Sequence, residues 1–242
     1  MIIFSLVLGL IEIAPRLGWV NSLTLVPLSD MLNALVQDLV SGEIYVHVVS
    51  TGSMILVSFI LAVVSGVLAG FVLWRFRGLR RALDPYLTSY YALPVFAFYP
   101  VLVAIFGLNR IPVILIAWAY AAIAVVTNTA LGLDSVKAVY TKTARVYGLG
   151  RWQTLWHVQL PAASPHVFTG LKLAVTYAVS GVIASEFILA TQGLGWLVSF
   201  NYNSFKTSAM YASIILVLAL AVLMATSVSA AERRVWSTRK RT

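Results

Sequence analysis

VVSTGSMILVSFILAVVSGVLAGFVLW, residues Val48 to Trp74, runs without a single Asp, Glu, Lys, Arg or Pro. At 1.5 Å per residue a helix of this length is enough to cross about 30 Å of hydrocarbon. A helix on a soluble domain would show a charged face to water, and this segment has none to show. Lipid is therefore its solvent. Within it, Gly66 and Gly70 stand four apart, a spacing that lets a second helix approach closely without naming which one.

The same property recurs along the 242 residues, of which 60% are hydrophobic and 10% charged, against about 25% charged in an ordinary soluble domain. Apolar windows predict helices over Ile2–Val20, Val48–Trp74, Tyr91–Leu108, Ile111–Leu133, Val167–Ala190 and Ala209–Ala231. The expectation is an all-α membrane protein, a single domain over 1–242 with six transmembrane helices. The opening MIIFSLVLGLIEIAP lacks a basic n-region and a small-residue cleavage pattern, so it reads as the first span, not a removable signal. Glu12 and Arg16 stand at i, i+4 in the favourable order for an ion pair. Pro27–His47 reads as an amphipathic helix along the outer surface, with Met31, Leu32, Leu35, Val36, Leu39 and Val40 at helical spacing behind a Ser29 or Asp30 cap. A tight hairpin at Gly107–Arg110 separates spans three and four. There are no cysteines, which excludes disulfides and thiolate metal sites.

The net charge of +9 does not point to nucleic acid, because the basic residues lie in short segments between apolar runs and not on one face. Arg75, Arg77, Arg80 and Arg81 fall in one such segment. Lys137, Lys142, Arg145 and Arg151 fall in a second, and Arg233, Arg234, Arg239, Lys240 and Arg241 in the tail. The intervening Pro27–His47 carries only Asp30, Asp38 and Glu43, and the last outer loop only Lys206. By the positive-inside rule the three basic segments and both termini are cytoplasmic.

The longest cytoplasmic loop, residues 134–166, contains TKTARVYGLGRWQTLWHVQLPAASPH from Thr141 to His166. Lys137–Tyr147 predicts a helix, Gly148 and Gly150 a left-handed end to it, and Arg151–Gln159 a second helix that stops before Pro161. Trp152, Leu155 and Trp156 then form a ridge at i, i+3, i+4, beside Arg151 and His157. Two readings fit such a ridge: it lies in the headgroup layer, where Trp and Arg are common, or a protein partner covers it.

Spacing separates the two. Ala144, Gly148, Val158, Leu160 and Pro161 match the pattern EAA, three residues, Gly, nine residues, Ile-x-Leu-Pro, and in this the chain resembles ABC-importer permeases. The likeness to the nitrate, sulfonate and taurine branch covers nearly the whole length: Arg80, Arg81, Asp84-Pro85, Leu93-Pro94, Tyr99-Pro100, Thr127-Asn128-Thr129, Gly132, Thr169-Gly170-Leu171-Lys172, Glu186 and Gly193-Leu194-Gly195. The resemblance implies the type I importer fold in a bacterial or archaeal inner membrane. The partners it implies are a cytoplasmic ABC ATPase dimer, an extracytoplasmic solute-binding protein and a second permease, either a copy of this chain or an unequal one. It places ATPase coupling on Lys142, Ala144, Arg145, Gly148, Arg151, Trp152, Leu155, Trp156, Val158, Leu160 and Pro161. Lys142 departs from the pattern, standing where the family has an acid, and reverses the charge offered to the partner. The implied cargo is a small solute such as a sulfonate, nitrate or other small organic anion. Relatives with the same pattern carry pyrimidine vitamin precursors, riboflavin or aromatic acids.

No GxxxxGK[ST] loop is present, so the chain is expected to be a transport subunit and not an enzyme, without a cofactor of its own; ATP and Mg would be bound by the partner ATPase. His47, His157 and His166 show no metal-ligand spacing. Pro94 and Pro100 interrupt span three, and breaks in membrane helices either kink packed helices or line a water-filled path. Phe96 and Tyr99 lie beside them as a gate or as interhelix packing. Glu186 is an intramembrane carboxylate, read either as a path or gating residue or as a structural hydrogen bond. Lys172 is placed to snorkel to the inner headgroups. An ATP-independent secondary transporter or channel is the competing class, which would leave the loop without an obligatory partner.

Overall fold

The computed structural model describes residues 2–21 and 23–239, and the side chains of these apart from Ile2, Phe4, Tyr91, Leu189 and 235–239. Lys240 and Arg241 of the basic tail lie outside the described residues. The helices are α1 (Ile2–Arg16), α2 (Leu28–Ser41), α3 (Ile44–Arg75), α4 (Arg77–Ser89), α5 (Tyr99–Phe106), α6 (Arg110–Asp134), α7 (Ala138–Val146), α8 (Arg151–Thr154), α9 (Leu160–Leu189), α10 (Leu194–Asn203) and α11 (Thr207–Arg239). Among the described residues there is no strand. The segments Ile44–Arg75, Arg110–Asp134, Arg151–Ile188 and Thr207–Arg234 are each long and apolar enough to cross a membrane.

Helix α6 is the centre, sandwiched between α3 and α9. Small residues make this possible. A Cβ on Gly66 would lie 2.5 Å from the Val125 Cβ, and one on Gly70 2.7 Å from the Thr129 Cβ. On the other face, Cβ atoms on Gly170 and Gly181 would meet Asn128 and Ala117 at 2.8 and 2.7 Å. The backbones approach more closely than any side chain would permit, which increases dispersion contact where lipid provides no hydrophobic drive. Ile55, Ala62, Ala117, Ala121, Val125, Ala178 and Val182 fill the resulting core, while Val57, Leu61, Val64 and Leu68 of α3 are exposed on the outside. That is the inverse of a soluble helix, whose outer face is polar.

The predicted helix at the start closes at Arg16, with Arg16 paired to Glu12 at 2.7 Å. The amphipathic segment forms α2, but neither Ser29 nor Asp30 caps it: the residue before its first turn is Pro27, which offers no side-chain acceptor. The cap comes from another helix. Glu12 of α1 accepts the Ser29 backbone N–H at 3.0 Å and the Ser29 hydroxyl at 3.0 Å. A carboxylate at a helix N-terminus satisfies an orphan donor and complements the dipole, whichever element supplies it.

A continuous third span over 91–108 does not form. Pro94 disfavours helical backbone at the residue before it, and Leu93 is extended at φ −76, ψ 129. Two tight 3₁₀ turns, Tyr90–Ala92 and Val95–Phe98, occupy the gap before α5. Pro100 has the opposite effect, sitting in the first turn of α5, where no N–H is needed. The basic segment before this break is itself a helix, α4, and Arg80 pairs with Asp134 at the end of α6. Lys172 meets Glu232 of α11 at 2.5 Å, a fixed partner instead of the free snorkelling expected.

Candidate functional site

The loop between α6 and α9 is an elbow held at both of its bends. Helix α7 ends with Gly148 at φ 74. The Gly148 N–H donates to the Arg145 carbonyl and the Leu149 N–H to the Ala144 carbonyl, both at 3.0 Å. This pair of bonds closes the last turn and requires the left-handed residue between them, which glycine adopts without steric cost. At the next bend Gly150 donates to the Gln153 Oε1 at 2.9 Å and accepts from the Thr154 N–H at 2.8 Å, so both backbone groups of the residue that caps α8 are used.

The second predicted helix does not stop before Pro161. Leu155–Gln159 is a single wide turn in which the Leu160 N–H reaches back to Leu155, and Pro161 then sits in the first turn of α9, which runs to Leu189. A five-residue turn absorbs the donor and the ring space that proline disrupts in a regular helix. The elbow is therefore continuous with the membrane helix that follows it.

The wide turn also divides the predicted ridge. Trp152 is 70% exposed and Trp156 63%, whereas Leu155 is 7% exposed. Leu155 packs inward with Leu133 and Ala163, against Phe71, Trp74 and Leu160. Ala144 is buried, Val158, Leu160 and Pro161 are half-buried, and Lys142, Arg145, Gly148 and Arg151 are exposed. None of those three cations has an ion-pair partner among the described residues. Apolar residues seat the elbow; Tyr147, the two indoles and the cations are exposed, with Trp152, Arg145 and Arg151 beside the inner end of α3.

Glu186 lies in a second, separate arrangement at the other end of α9. It is fully buried and accepts from the Thr51 hydroxyl at 2.8 and 3.0 Å and from the Gly195 N–H at 2.8 Å. Thr51 in turn accepts the Leu194 N–H at 2.8 Å, and the Gly193 N–H donates to His47 Nδ1 at 3.1 Å. The carboxylate thus ties α3 and α9 to the start of α10, a short helix that the apolar windows do not foresee. Of the other proposed path residues, Pro94 is exposed and Tyr99 is buried. Phe96 meets Tyr120 edge-on at 5.6 Å, and Tyr120 contacts Tyr177 at 4.8 Å. Tyr99 borders a small cavity of about 40 Å³ with Met54, Asn109, Arg110 and Gln192; Glu186 is not in its wall. Thr51 and the aromatic partners of Phe96 carry no signal in the sequence by themselves. The Gly193-Leu194-Gly195 run is such a signal, since paired glycines flag a close approach.

Residues 44–237 match the model of the family described as binding-protein-dependent transport system inner membrane component. The chain is similar to the taurine transport system permease protein TauC of Escherichia coli K12, at 29% identity over 198 residues, covering 82% of this chain and 72% of that one. It is similar to the nitrate import permease protein NrtB of Synechococcus elongatus, 28% identical over 148 residues, but spans 53% of that relative's length and matches over 61% of its own. The riboflavin transport system permease protein RibX of Chloroflexus aurantiacus is 28% identical over 178 residues, 74% of this chain and 66% of the relative. Among solved structures, an inward-facing form of the MetNI methionine ABC transporter superposes with a TM-score of 0.69 at 19% identity, covering 79% of this chain and 95% of that one.

Proposed function

The chain belongs to the family of binding-protein-dependent transport system inner membrane components, in its nitrate, sulfonate and taurine branch and with the type I ABC-importer permease fold, and from that premise we propose that its elbow is the point where a cytoplasmic ABC ATPase drives it. The chain crosses the inner membrane of a bacterial or archaeal cell six times, counting α1 and the broken segment around α5, with both termini cytoplasmic. It pairs with a second permease, most simply a copy of itself, receives a small anion such as a sulfonate or nitrate from an extracytoplasmic binding protein, and moves it inward by alternating access. ATP and Mg belong to the partner ATPase.

One observation carries this reading: Trp152 and Trp156 stand 70% and 63% exposed on a segment whose backbone is fixed at every bend and continues into α9. A rigid helix transmits displacement where a flexible loop would absorb it, so a push on the indoles reaches the membrane core through α9. Exposed tryptophans on a rigid support have the anatomy of an interface hot spot. The docking residues are Lys142, Arg145, Gly148, Arg151, Trp152 and Trp156, seated by Ala144, Leu155, Val158, Leu160 and Pro161.

Co-purification of the chain with its ATPase tests the proposal, followed by solute uptake in proteoliposomes with and without ATP. The expected result is a stable complex, lost in Gly148→Asp, and uptake that requires ATP. Uptake by the chain alone, without an ATPase or ATP, would overturn it in favour of a secondary transporter or channel.

A further inference from the structure

A cleft of about 560 Å³ opens between the inner end of α3 and the elbow, within the 300–1,000 Å³ range of small-ligand sites. Arg75 and Arg77 line it from one side and Arg145 and Arg151 from the other, and no Asp or Glu contributes to its wall. None of these four guanidinium groups forms an ion pair among the described residues. Elsewhere on the same face the protein does neutralise its arginines, as Arg80 with Asp134 shows. Four cations brought together without a counter-charge repel one another, and an anion held among them relieves that repulsion.

The wall is not uniformly polar. Phe71, Trp74 and Leu155 also line the cleft, and they belong to the apolar cluster beneath the elbow. Trp74 and Arg75 close a helix that crosses the membrane, so the cleft lies at headgroup depth. An anion bound beside an apolar wall at that depth has the chemistry of a phospholipid: a phosphodiester for the arginines and glycerol and acyl carbons for the rings. Free phosphate uses only half of this surface.

We infer that the cleft between α3 and the elbow binds the headgroup of an anionic phospholipid, which couples the elbow's seating to the lipid around it. The inference rests on the cytoplasmic placement of the elbow proposed above and adds a lipid to it. Arg145 and Arg151 serve in both readings, whereas Arg75 and Arg77 are not among the ATPase-docking residues, so variants at Arg75 and Arg77 test the lipid site apart from docking.

Native mass spectrometry of the purified chain, titrated with phosphatidylglycerol or phosphatidylcholine in detergent, provides the test. The expected result is a saturable phosphatidylglycerol adduct preferred over phosphatidylcholine, weakened roughly 10- to 30-fold in Arg75→Gln/Arg77→Gln at about a fivefold loss per cation. It is retained in Arg75→Lys/Arg77→Lys and in Arg81→Gln, which alters a basic residue of α4 outside the cleft. If the double glutamine variant does not fold, Arg77→Gln alone is read, with about a fivefold loss expected. Equal weakening by Arg81→Gln, or none by the cleft variants, overturns the inference. So does displacement of the adduct by millimolar inorganic phosphate or glycerol 3-phosphate, which assigns the site to a soluble anion. Release of the lipid on addition of the ATPase also overturns it, making the cleft part of the protein interface. Loss of the adduct with the ATPase still bound leaves the coupling proposal intact, and an adduct on a chain that binds no ATPase leaves only the lipid site.

Discussion

The Thr51 hydroxyl donates to the buried Glu186 carboxylate at 2.8 Å while accepting the Leu194 N–H at the same distance, so one side chain of α3 holds both the end of α9 and the start of α10. Removing either partner leaves buried polar groups unsatisfied. Thr51→Val is expected to destabilise the chain by about 1–3 kcal/mol. Glu186→Ala, which also strands the Gly195 N–H, should cost at least as much, and Glu186→Gln less, because the amide oxygen still accepts. Thermal unfolding of the purified chain in nanodiscs ranks the three; equal stability of Glu186→Ala and wild type would remove the carboxylate's structural role.

Gly66 and Gly52 occupy the same helix and predict opposite outcomes. A Cβ at Gly66 would press on Val125 at 2.5 Å, whereas one at Gly52 meets nothing within 4 Å. Gly66→Ala should destabilise by about 1–3 kcal/mol through overpacking. Gly52→Ala should be neutral or stabilise by up to about 1 kcal/mol through helix propensity. Melting temperatures of the two variants, measured side by side in one detergent, check the contrast.

Gly148 is left-handed at φ 74 but has open space around it. Conformation, not crowding, is its constraint, and asparagine tolerates that conformation better than other side chains. Gly148→Asn is expected to melt within about 1 kcal/mol of wild type and Gly148→Val to lose more, since a β-branched residue at positive φ is strained. A similar loss of ATPase binding in Gly148→Asn and Gly148→Asp, with folding intact in both, would assign the glycine to the docking contact itself.

Trp152, Trp156 and Leu155 separate docking from folding. Trp152→Ala and Trp156→Ala remove exposed rings and should leave stability within about 0.5 kcal/mol while weakening ATPase binding by about 30-fold each, the effect of a 2 kcal/mol hot spot. Leu155→Ala hollows the cluster beneath the elbow and should cost about 2–5 kcal/mol of stability. Indole fluorescence decides whether the rings lie in the headgroups instead: quenching by brominated lipid that persists with ATPase bound would favour the membrane-surface reading.

The breaks in the chain were legible where a single residue type enforces them. Gly148 announces a left-handed helix end, and Pro94 an interruption of span three, because φ and the missing N–H are local properties; the extended link at Leu93 came only with the structure. Pro161 misleads for the same reason. Locally it reads as a stop, but the wide turn at Leu155–Gln159 absorbs it, and the packing of Leu155 against Leu133 and Ala163 makes that turn worthwhile. The cap of α2 escapes a local reading altogether, since Glu12 supplies it from α1.

Charge-free apolar runs dictate a helical membrane protein, because no other continuous segment satisfies its backbone in lipid, and the spacing from Ala144 to Pro161 carries the resemblance on which the elbow is proposed as a partner site. Tertiary structure alone decides the partners across space. It sets Gly66 and Gly70 against α6, turns Leu155 inward and the two tryptophans outward, and closes Thr51 over Glu186. It also gathers four arginines, none of them ion-paired among the described residues, from the α3–α4 junction and the elbow around one cleft. Periodicity and turn chemistry act within a few residues, whereas these contacts join side chains far apart in sequence, and only packing determines which of them meet.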